Sequence, residues 1–268
     1  MREPIKSVLA SLQRPARATG ATILIYHRVG GGTTDELDIG TPVFERHLDL
    51  LASHKILSLD AALDRLDVGD TRPSVVLTFD DGFEDVYHNA WPLLRERSLP
   101  FTVYLASAYM GQTLRWEGST AKGASGLGLT WEQLAEMVGS GLCTVGNHTH
   151  HHVRPEELSA DELDACNAEI ESRLGLRPKH FTYPWGVVVP AAEPWLRERF
   201  RSASTAILGR NQPDTDRMRL KRVPVRRTDP DKFFAAKLVG NLLPERTYSR
   251  FVRTAKALGA GGQPASSA

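Results

Sequence analysis

The chain has 268 residues, of which 41% are hydrophobic and 24% charged, and its formal net charge is +1. These values describe an ordinary soluble globular protein, and the length suits one large α/β domain or two small domains. A nearly balanced charge argues neither for nor against a polyanionic partner, and nucleic-acid binding is not predicted. Nothing requires the two cysteines, Cys143 and Cys166, to pair, so we expect buried thiols.

Residues 1–20 carry a short basic amphipathic segment. Ile5, Val8, Leu9 and Leu12 recur at helical spacing between lysine and arginine residues. We expect this helix to pack against the rest of the protein, with peripheral contact to a membrane as a second interpretation. The apolar stretch is too short for a signal peptide, and no run approaches ~18 apolar residues. We therefore expect a cytoplasmic protein without a membrane span.

Strand and helix patterns alternate along most of the chain. The apolar runs that predict strands cover residues 21–27, 56–59, 75–79, 101–105, 143–145, 180–183, 202–207 and 220–225. The helical patterns cover 41–54, 60–66, 84–97, 130–138, 159–174, 194–200 and 231–258, the last interrupted at Pro244. Asp60 is the expected cap of the helix 60–66 and Thr130 that of the helix 130–138, and Ser159 with Glu162 forms the expected capping box of the helix 159–174. This alternation is typical of βαβ units and a mainly parallel sheet.

The segment from Val75 to Gly82 ends an unbroken apolar run at two adjacent carboxylates, Asp80 and Asp81. Such a run, bounded by Pro73 and Gly82, is typical of a strand buried on both faces. The carboxylates then lie at the carboxyl end of the strand, where α/β barrels place their chemistry. Two acidic side chains there are costly unless they are paired or bound to a metal, so they require a cation.

A histidine cluster follows the apolar strand 143–145, with four histidines in the five positions from His148 to His152. His148 and His152 are four residues apart, which on a helical turn places both imidazoles on one side. Together with an Asp they form a ligand set that leaves open positions on a metal ion. His150 is an alternative ligand, although the four-residue spacing favours His152. A surface cluster or a purification tag is the competing interpretation, but tags lie at termini and this cluster is internal.

Three motifs resemble those of a known family. Thr78 to Gly82 (TFDDG) and His148 to His152 (HTHHH) resemble T-F-D-D-G and H-[S/T]-x-x-H, the first two motifs of the polysaccharide deacetylases of carbohydrate esterase family four. Phe181 to Gly186 (FTYPWG) is similar to the third motif, F-R-x-P-Y-G. This chitooligosaccharide deacetylase homology domain implies a distorted, incomplete (β/α) barrel with about seven mainly parallel strands, over residues 21–257. Residues 258–268 are by composition a disordered tail.

The resemblance implies roles for the acidic and histidine residues. Asp81, His148 and His152 are implied to hold a divalent metal, with Zn²⁺ preferred and Co²⁺ or Ni²⁺ as alternatives. Asp80 is implied to be the catalytic base and not a ligand. The main-chain N–H of Trp185, at the family's Tyr position, is the implied second donor to the oxyanion.

The general acid is the role that the usual motif order leaves open. Family members commonly carry L-x-H near the C-terminus, and this sequence has no histidine after His180. Ile25-Tyr26-His27 has the corresponding form near the N-terminus, as if that strand had moved from last to first. This arrangement resembles the permuted deacetylases of poly-N-acetylglucosamine. His27 is therefore interpreted as the acid, with a structural histidine as the alternative.

Two positions depart from the family pattern. Thr182 replaces the Arg of the third motif, whose role in placing the catalytic Asp is left unfilled or passes to Arg222 or Arg226. Trp185 replaces Tyr, which preserves the backbone donor but changes the wall of the groove.

Residues 111–128 are rich in Gly, Ser and Thr and are long for a connection. We interpret them as a mobile loop over the mouth of the site. Trp116 in this loop is either a sugar-stacking residue or packs beneath the loop. The remaining substrate contacts are assigned to Tyr183, Pro184 and Arg222.

The predicted function is removal of the N-acetyl group from an amino sugar by metal-dependent amide hydrolysis. Without export, mature cell-wall polymer is out of reach, so a lipid-linked glycan precursor, a glycoside or an aminosugar natural product is the favoured substrate. An O-acetyl esterase acting on carbohydrates is an alternative hydrolase, and a metal-inactive carbohydrate-binding relative is an alternative from another class. The complete set of Asp80, Asp81, His148 and His152 argues against the binding relative.

Overall fold

The computed structural model describes residues 2–11, 18–116 and 126–259. Residues 117–125 of the predicted loop and 260–268 of the predicted tail lie outside the described part of the chain.

Seven parallel strands close into a barrel, which confirms the predicted (β/α) architecture. The strands of the protein are β1 (Ala21–Tyr26), β2 (Arg28–Val29), β3 (Asp38–Ile39), β4 (Ser74–Phe79), β5 (Phe101–Leu105), β6 (Cys143–Asn147), β7 (His180–Thr182), β8 (Ser202–Leu208) and β9 (Leu220–Pro224). Short strands β2 and β3 pair with each other, and the other seven follow one another around the barrel in chain order. Parallel pairing of β1 with β9 closes the ring.

Helices surround the barrel and follow the strands in the alternation that the sequence predicts. They are α1 (Arg2–Ser11), α2 (Thr41–Leu51), α3 (Leu59–Asp67), α4 (Trp91–Glu96), α5 (Trp131–Gly139), α6 (Ala160–Leu174), α7 (Glu193–Arg199), α8 (Asp231–Leu238) and α9 (Leu243–Gly259). A π-helical turn, Val86–Ala90, precedes α4. Thr130 caps α5 as predicted, because its side chain accepts the N–H of Gln133 at 3.2 Å.

The main apolar core contains aromatic rings from neighbouring strands and the helix packed on them. Tyr26 stacks on Phe79 at a centroid distance of 5.4 Å, and the ring of Phe44 meets Tyr26 edge-on at 5.4 Å. Cys143 and Cys166 lie in this core as free thiols, which confirms the expectation from the sequence.

The strand register brings the predicted site residues to one end of the barrel. Tyr26 of β1 pairs with Phe79 of β4, so the residues that follow them, His27 and Asp80, leave adjacent strands side by side. His148 likewise follows β6 directly. The carboxyl ends of parallel strands therefore carry these side chains into a common space.

Two local predictions between α2 and β4 were wrong. Ile56 forms only an isolated parallel bridge with Val75 and does not extend into a strand. The cap of α3 is Ser58, whose Oγ accepts the N–H of Ala61 at 3.2 Å, and Asp60 lies in the first turn instead. A serine followed by an acidic residue in the first turn is itself a favourable helix start, so both residues suit their positions.

The predicted break at Pro244 lies a few residues too late. Helix α8 ends at Leu238 and α9 begins at Leu243, so Pro244 is inside the first turn of α9. Proline is tolerated there because the first N–H groups of a helix have no partner within the helix. The chain turns instead at residues 239–242, which include Gly240 with a φ of +75°.

A buried group of charges holds α1 against the C-terminal helices. Lys6 Nζ lies 2.7 Å from Asp229 Oδ1, and Lys237 Nζ lies 2.6 Å from Asp229 Oδ2 and 3.0 Å from Glu245 Oε2. Lys6 and Lys237 are therefore buried in ion pairs, and neither adds to a basic surface on the terminal helices. None of the helices in the described residues is long and apolar enough to cross a membrane. Peripheral membrane contact stays a prediction.

Candidate metal centre and active-site cavity

A cavity of about 300 Å³ opens at the carboxyl ends of the barrel strands. The residues assigned to the site from the sequence that line it are His27, Asp80, Asp81, Trp116, His148, His152, Tyr183, Trp185 and Arg222. Pro184 is buried and is not among the described residues that line this cavity, and its assignment as a substrate contact stays a prediction.

Asp81, His148 and His152 converge on one point. Nε2 of His148 lies 3.4 Å and Nε2 of His152 lies 3.5 Å from Oδ1 of Asp81, and the three candidate ligand atoms all lie within 4.8 Å of one another. Ligand atoms bound ~2.1 Å from a tetrahedral ion are roughly 3.4 Å apart, so the spacing fits a small divalent cation. All three side chains are buried, which excludes most competing water.

The tautomer of His148 also favours a cation at this point. The Nδ1–H of His148 donates to the main-chain carbonyl of Thr182 at 2.8 Å, because a carbonyl can only accept. In the neutral ring, Nε2 then presents a lone pair to the carboxylate of Asp81, and two acceptors 3.4 Å apart repel unless a cation lies between them. Burial lowers the pKa of His152 to about 4, so the ring of His152 is neutral at pH 7 and able to act as a ligand.

The backbone is strained where it presents these groups. Among the described residues, the non-glycine residues with positive φ are Ser98 and four residues of the ligand-bearing turns, Asp81, Thr149, His152 and Trp185. Such conformations cost roughly 1–3 kcal/mol each and persist only where the surrounding structure holds them. The fold therefore maintains a geometry that the local sequence alone would not adopt.

Glu162 of α6 is one of the groups that hold the histidine loop. Its Oε2 accepts the main-chain N–H groups of His150 and His151, both at 2.9 Å, and its Oε1 lies 2.7 Å from Nδ1 of His151. The predicted capping box was therefore only half right. Ser159 does cap α6 through the N–H of Glu162, but the side chain of Glu162 turns to the loop. The sequence does not reveal this role, because a serine three residues before a glutamate is the usual pattern of a capping box.

His150 is directed away from the ligand set. Its Nδ1 lies 2.7 Å from Oγ of Ser107, whereas the group of candidate ligands contains His152. The geometry thus favours His152 over the alternative in which His150 is the ligand.

Asp80 is held by a buried arginine from the last barrel strand. Nη1 and Nη2 of Arg222 donate to the two carboxylate oxygens of Asp80 at 2.7 and 2.8 Å. Burial alone raises the pKa of Asp80, but the charge and hydrogen bonds of Arg222 outweigh it and keep that pKa below its ordinary value. Arg226, the other candidate, pairs with Glu245. Of the two candidates left open by Thr182, Arg222 is therefore the one that contacts Asp80.

Arg222 also lines the cavity, and its assignment as a substrate contact stays a prediction. Besides its two bonds to Asp80, Arg222 donates from Nε to the carbonyl of Thr205 at 2.9 Å and from Nη1 to Oγ1 of Thr78 at 3.3 Å. These bonds use most of its N–H groups, so Arg222 lies at the base of the cavity as the partner of Asp80.

His27 lies in the same cavity as the two carboxylates. Its Nδ1 is buried and has no hydrogen-bond partner among the described residues. Buried ring nitrogens are normally paired, so an orphaned one that borders a cavity is a candidate contact for a ligand. The structure brings His27 to Asp80 and Asp81 as the permuted arrangement requires, and its role as acid stays a prediction.

Trp185 occupies a tight turn after β7. The N–H of Gly186 donates to the carbonyl of Tyr183 at 2.9 Å, and the N–H of Val187 donates to the carbonyl of Pro184 at 3.5 Å. The N–H of Trp185 is therefore not one of the donors that close this turn. Trp185 has a left-handed conformation, with a φ of +64°, and is one of the residues that line the cavity.

The two remaining predicted substrate contacts differ in position. Tyr183 is part of the cavity lining, while its ring packs edge-on against Phe181 at 5.2 Å in a buried cluster behind β7, and its assignment as a substrate contact stays a prediction. Trp116 stacks on His152 with a centroid distance of 4.1 Å and an interplanar angle of 17°. Trp116 thus covers a candidate metal ligand from the cavity side. The loop residues that follow it, 117–125, lie outside the described part of the chain.

Comparison with known proteins decides the family. A family model described as polysaccharide deacetylase matches residues 67–196. The solved structure of IcaB from Ammonifex degensii is 30% identical, the alignment covers 84% of this chain and 99% of that chain, and the TM-score is 0.71. The chain belongs to the polysaccharide deacetylase family. The resemblance drawn from the three motifs is therefore confirmed, and so is the similarity to the permuted poly-N-acetylglucosamine deacetylase type.

Other polysaccharide deacetylases match over parts of the chain. A poly-beta-1,6-N-acetyl-D-glucosamine N-deacetylase of Staphylococcus aureus is 27% identical over 160 residues, which are 54% of this chain and 52% of the relative. The chain spans about half the length of the curated relatives it matches. The solved structure of a polysaccharide deacetylase from Bacillus cereus is 21% identical, and the alignment covers 81% of this chain and 68% of that chain. The TM-score of 0.67 shows a shared fold.

Proposed function

We propose that this protein is a metal-dependent hydrolase that removes the N-acetyl group from an N-acetylated amino sugar in a glycan, glycolipid or glycoside. The observation that carries the proposal is the division between the two adjacent carboxylates. Asp81 joins His148 and His152 in a candidate ligand set, whereas Asp80 is held apart by Arg222. One carboxylate for a cation and one for a proton are what hydrolysis of an unactivated amide requires.

Asp81, His148 and His152 would hold the cation. Two imidazoles and a carboxylate suit Zn²⁺, with Co²⁺ and Ni²⁺ as alternatives. A divalent cation at this position supplies Lewis acidity, which polarises an amide carbonyl and lowers the pKa of water. Because the three side chains are no more than 7% exposed, the electrostatic effect is little weakened by solvent.

Asp80 acts as the base that takes a proton from the attacking water. The pKa of its carboxyl group is held low by Arg222 against the effect of burial, so the carboxylate is ionised and ready to accept at neutral pH. The bidentate contact also fixes both oxygens, which orients the base before substrate binds.

The two later steps need a donor to the oxyanion and an acid. Attack of water on the acetyl carbonyl forms a tetrahedral oxyanion, to which the N–H of Trp185, a residue of the cavity lining, donates. His27 then protonates the sugar nitrogen as the C–N bond breaks, which releases acetate and a free amine.

The choice of an amino sugar as substrate is supported by the names of the relatives. The Staphylococcus aureus relative is an N-deacetylase of poly-beta-1,6-N-acetyl-D-glucosamine. By analogy, we assign N-acetylglucosamine within a glycan as the sugar on which this protein acts.

Acetate release from a defined panel tests the proposal. The panel contains N-acetylglucosamine glycosides, β-1,6- and β-1,4-linked oligomers, and an O-acetylated sugar, with protein that is Zn²⁺-loaded or chelator-treated. We expect acetate from N-acetyl substrates only with metal present. Release from the O-acetylated sugar alone would instead establish an esterase, and sugar binding without release would establish a binding protein.

A further inference from the structure

His27 occupies the single position between β1, which ends at Tyr26, and β2, which begins at Arg28. Its ring is not fixed by a hydrogen bond through Nδ1, because this atom is buried and has no partner among the described residues. A group that transfers a proton to a substrate atom must be held to within a fraction of an ångström. The position of this ring therefore depends on the main chain on either side of it.

Hydrogen bonds fix the main chain both before and after His27. Before it, the carbonyl of Tyr26 accepts the N–H of Asp80 at 2.9 Å. After it, the N–H of Arg28 donates to the carbonyl of Leu37 at 3.2 Å. The first bond joins the His27 segment directly to the candidate base, whereas the second leads only into the small β2–β3 pair. On the later side, the connection to the segment after β4 is made by side chains.

This connection is an ion pair between Arg28 and Asp85. Nε of Arg28 donates to Oδ2 of Asp85 at 2.7 Å, and the main-chain N–H of Val29 donates to Oδ1 of the same carboxylate at 3.1 Å. Asp85 lies four residues after Asp81, at the start of the π-helical turn, and its side chain makes no capping bond there. The carboxylate instead ties the two residues that follow His27 to the segment that carries the candidate metal ligand.

The ion pair is buried, and the chain leaves space for it. The side chain of Arg28 is 0% exposed, and its guanidinium lies 4.5 Å from the centroid of the Phe83 ring. Burial raises the pKa of Asp85 to about 6, so the carboxylate is mainly ionised at pH 7. A Cβ at Gly31 would lie 2.5 Å from Nη2 of Arg28, so only glycine leaves the guanidinium its place. Because an unpaired buried charge is costly, Arg28 and Asp85 hold each other in one arrangement.

We propose that Arg28 and Asp85 are positioning residues for the general acid, and that they hold the main chain of His27 so that its ring faces Asp80 and Asp81 across the cavity. The inference rests on the proposed function and on the role of His27 within it. Neither Arg28 nor Asp85 is among the described residues that line the cavity, so both act through His27 and not on the substrate. Their loss should therefore impair proton donation more than the steps that need no acid.

The test separates proton donation from the rest of the reaction. kcat/KM of Zn²⁺-loaded protein is measured for acetate release from the best N-acetyl substrate of the panel and for hydrolysis of 4-nitrophenyl acetate, whose leaving group needs no proton. The test variants are Arg28→Lys, which loses the planar guanidinium, and Gly31→Ala, which displaces it without changing a charge. We expect each to lose roughly tenfold or more on the amide and much less on the ester.

Two control variants match these changes in chemistry. Arg226→Lys makes the same exchange on an arginine that pairs with Glu245, and Gly40→Ala adds a Cβ where no atom lies within 4 Å. Both controls should keep the wild-type rates on both substrates, and all four variants should keep the wild-type Zn²⁺ content. If Arg28→Lys does not fold, Gly31→Ala decides the question, because it keeps both members of the ion pair.

Equal losses on the amide and the ester, or wild-type rates on the amide in both test variants, would overturn the positioning role. Failure of the proposed function has a different signature, because wild type then releases no acetate from any N-acetyl substrate. In that case, crystal structures of wild type and Gly31→Ala decide the inference by themselves. It predicts that the ring of His27 moves relative to Asp80 in the variant, and an unmoved ring would contradict it.

Discussion

Arg222 and Asp80 form a buried, bidentate ion pair across the base of the cavity, although 142 positions separate them in the sequence. Removing one member of such a pair leaves an uncompensated charge, and exchanging Arg for Lys loses the planar two-point contact. Asp80 therefore depends on Arg222 for both its ionisation and its orientation.

Arg222→Lys should lower kcat/KM for acetate release by roughly 100-fold, as for a small misplacement of a catalytic group, while metal content stays at the wild-type level. The matched control is Arg226→Lys, which makes the same exchange on an arginine paired with Glu245 outside the cavity. Kinetics and metal analysis on the same preparations check this. Equal rates for the two variants would show that the Arg222 contact does not position the base.

Glu162→Ala should weaken Zn²⁺ binding roughly tenfold, because partners that hold metal ligands typically contribute that much to affinity. The variant removes the acceptor of the N–H groups of His150 and His151, two residues of the ligand-bearing loop. Calorimetric titration of apo protein with Zn²⁺ measures the change. Glu171→Ala, at an exposed position of the same helix, is the control. A Zn²⁺ affinity shared by the two variants would exclude the positioning role.

Glu162→Gln is the conservative counterpart of this change. The amide oxygen of Gln can still accept the two N–H groups, so its Zn²⁺ affinity should lie closer to wild type than that of Glu162→Ala. An affinity as low as that of the alanine variant would mean that the charge of Glu162, and not its hydrogen bonds, supports the loop.

His27→Asn should slow amide hydrolysis by about 100-fold or more, the usual contribution of a general acid. An ester with a good leaving group, such as 4-nitrophenyl acetate, needs no proton on departure and should lose much less. The ratio of the two rate losses therefore isolates proton donation from any structural effect. Equal losses on both substrates would reassign His27 to a structural role.

His47 predicts a pH dependence of stability outside the cavity. Its ring stacks on Phe234 at 3.8 Å, and burial lowers the pKa of His47 from 6.5 to about 4. Between these pH values the unfolded chain binds a proton that the folded protein does not, so stability falls as the pH drops from 6.5 towards 4. The loss approaches about 3 kcal/mol at the lower limit.

His47→Gln should remove this contribution. The free energy of unfolding, measured by urea denaturation at pH 7 and pH 4.5, should fall less on acidification in the variant than in wild type. The same fall in both proteins would contradict the buried, neutral state of His47.

The sequence predicts the parts of the site that follow from local patterns. The apolar run before Asp80 and Asp81 marks a barrel strand. The pair His148 and His152 was also singled out correctly, although the helical turn assumed for it does not form and both residues lie in a non-helical loop. The cap at Thr130 was also predicted, because capping involves only neighbouring residues.

The parts that were not predicted depend on contacts between distant segments. The sequence left the choice between Arg222 and Arg226 open, because the contact with Asp80 forms only in the closed barrel. There β9 and β4 lie on either side of β1. Glu162 was assigned to a helix cap, because the pattern of neighbouring residues fits one. Its contact with the histidine loop is a tertiary contact, which that pattern does not show. The packing of the Tyr183 ring into the buried cluster behind β7 was not predicted either.

The most direct test of the account is acetate release by Asp80→Asn, with Zn²⁺ content measured on the same sample. The account predicts that Asp80→Asn keeps the metal and loses activity by roughly 1,000-fold or more, because Asp80 is the base and Asp81 is the ligand. Asp81→Ala, prepared in parallel, should lose the metal. Retained acetate release by metal-loaded Asp80→Asn, or loss of its Zn²⁺, would contradict the division of roles between these two carboxylates.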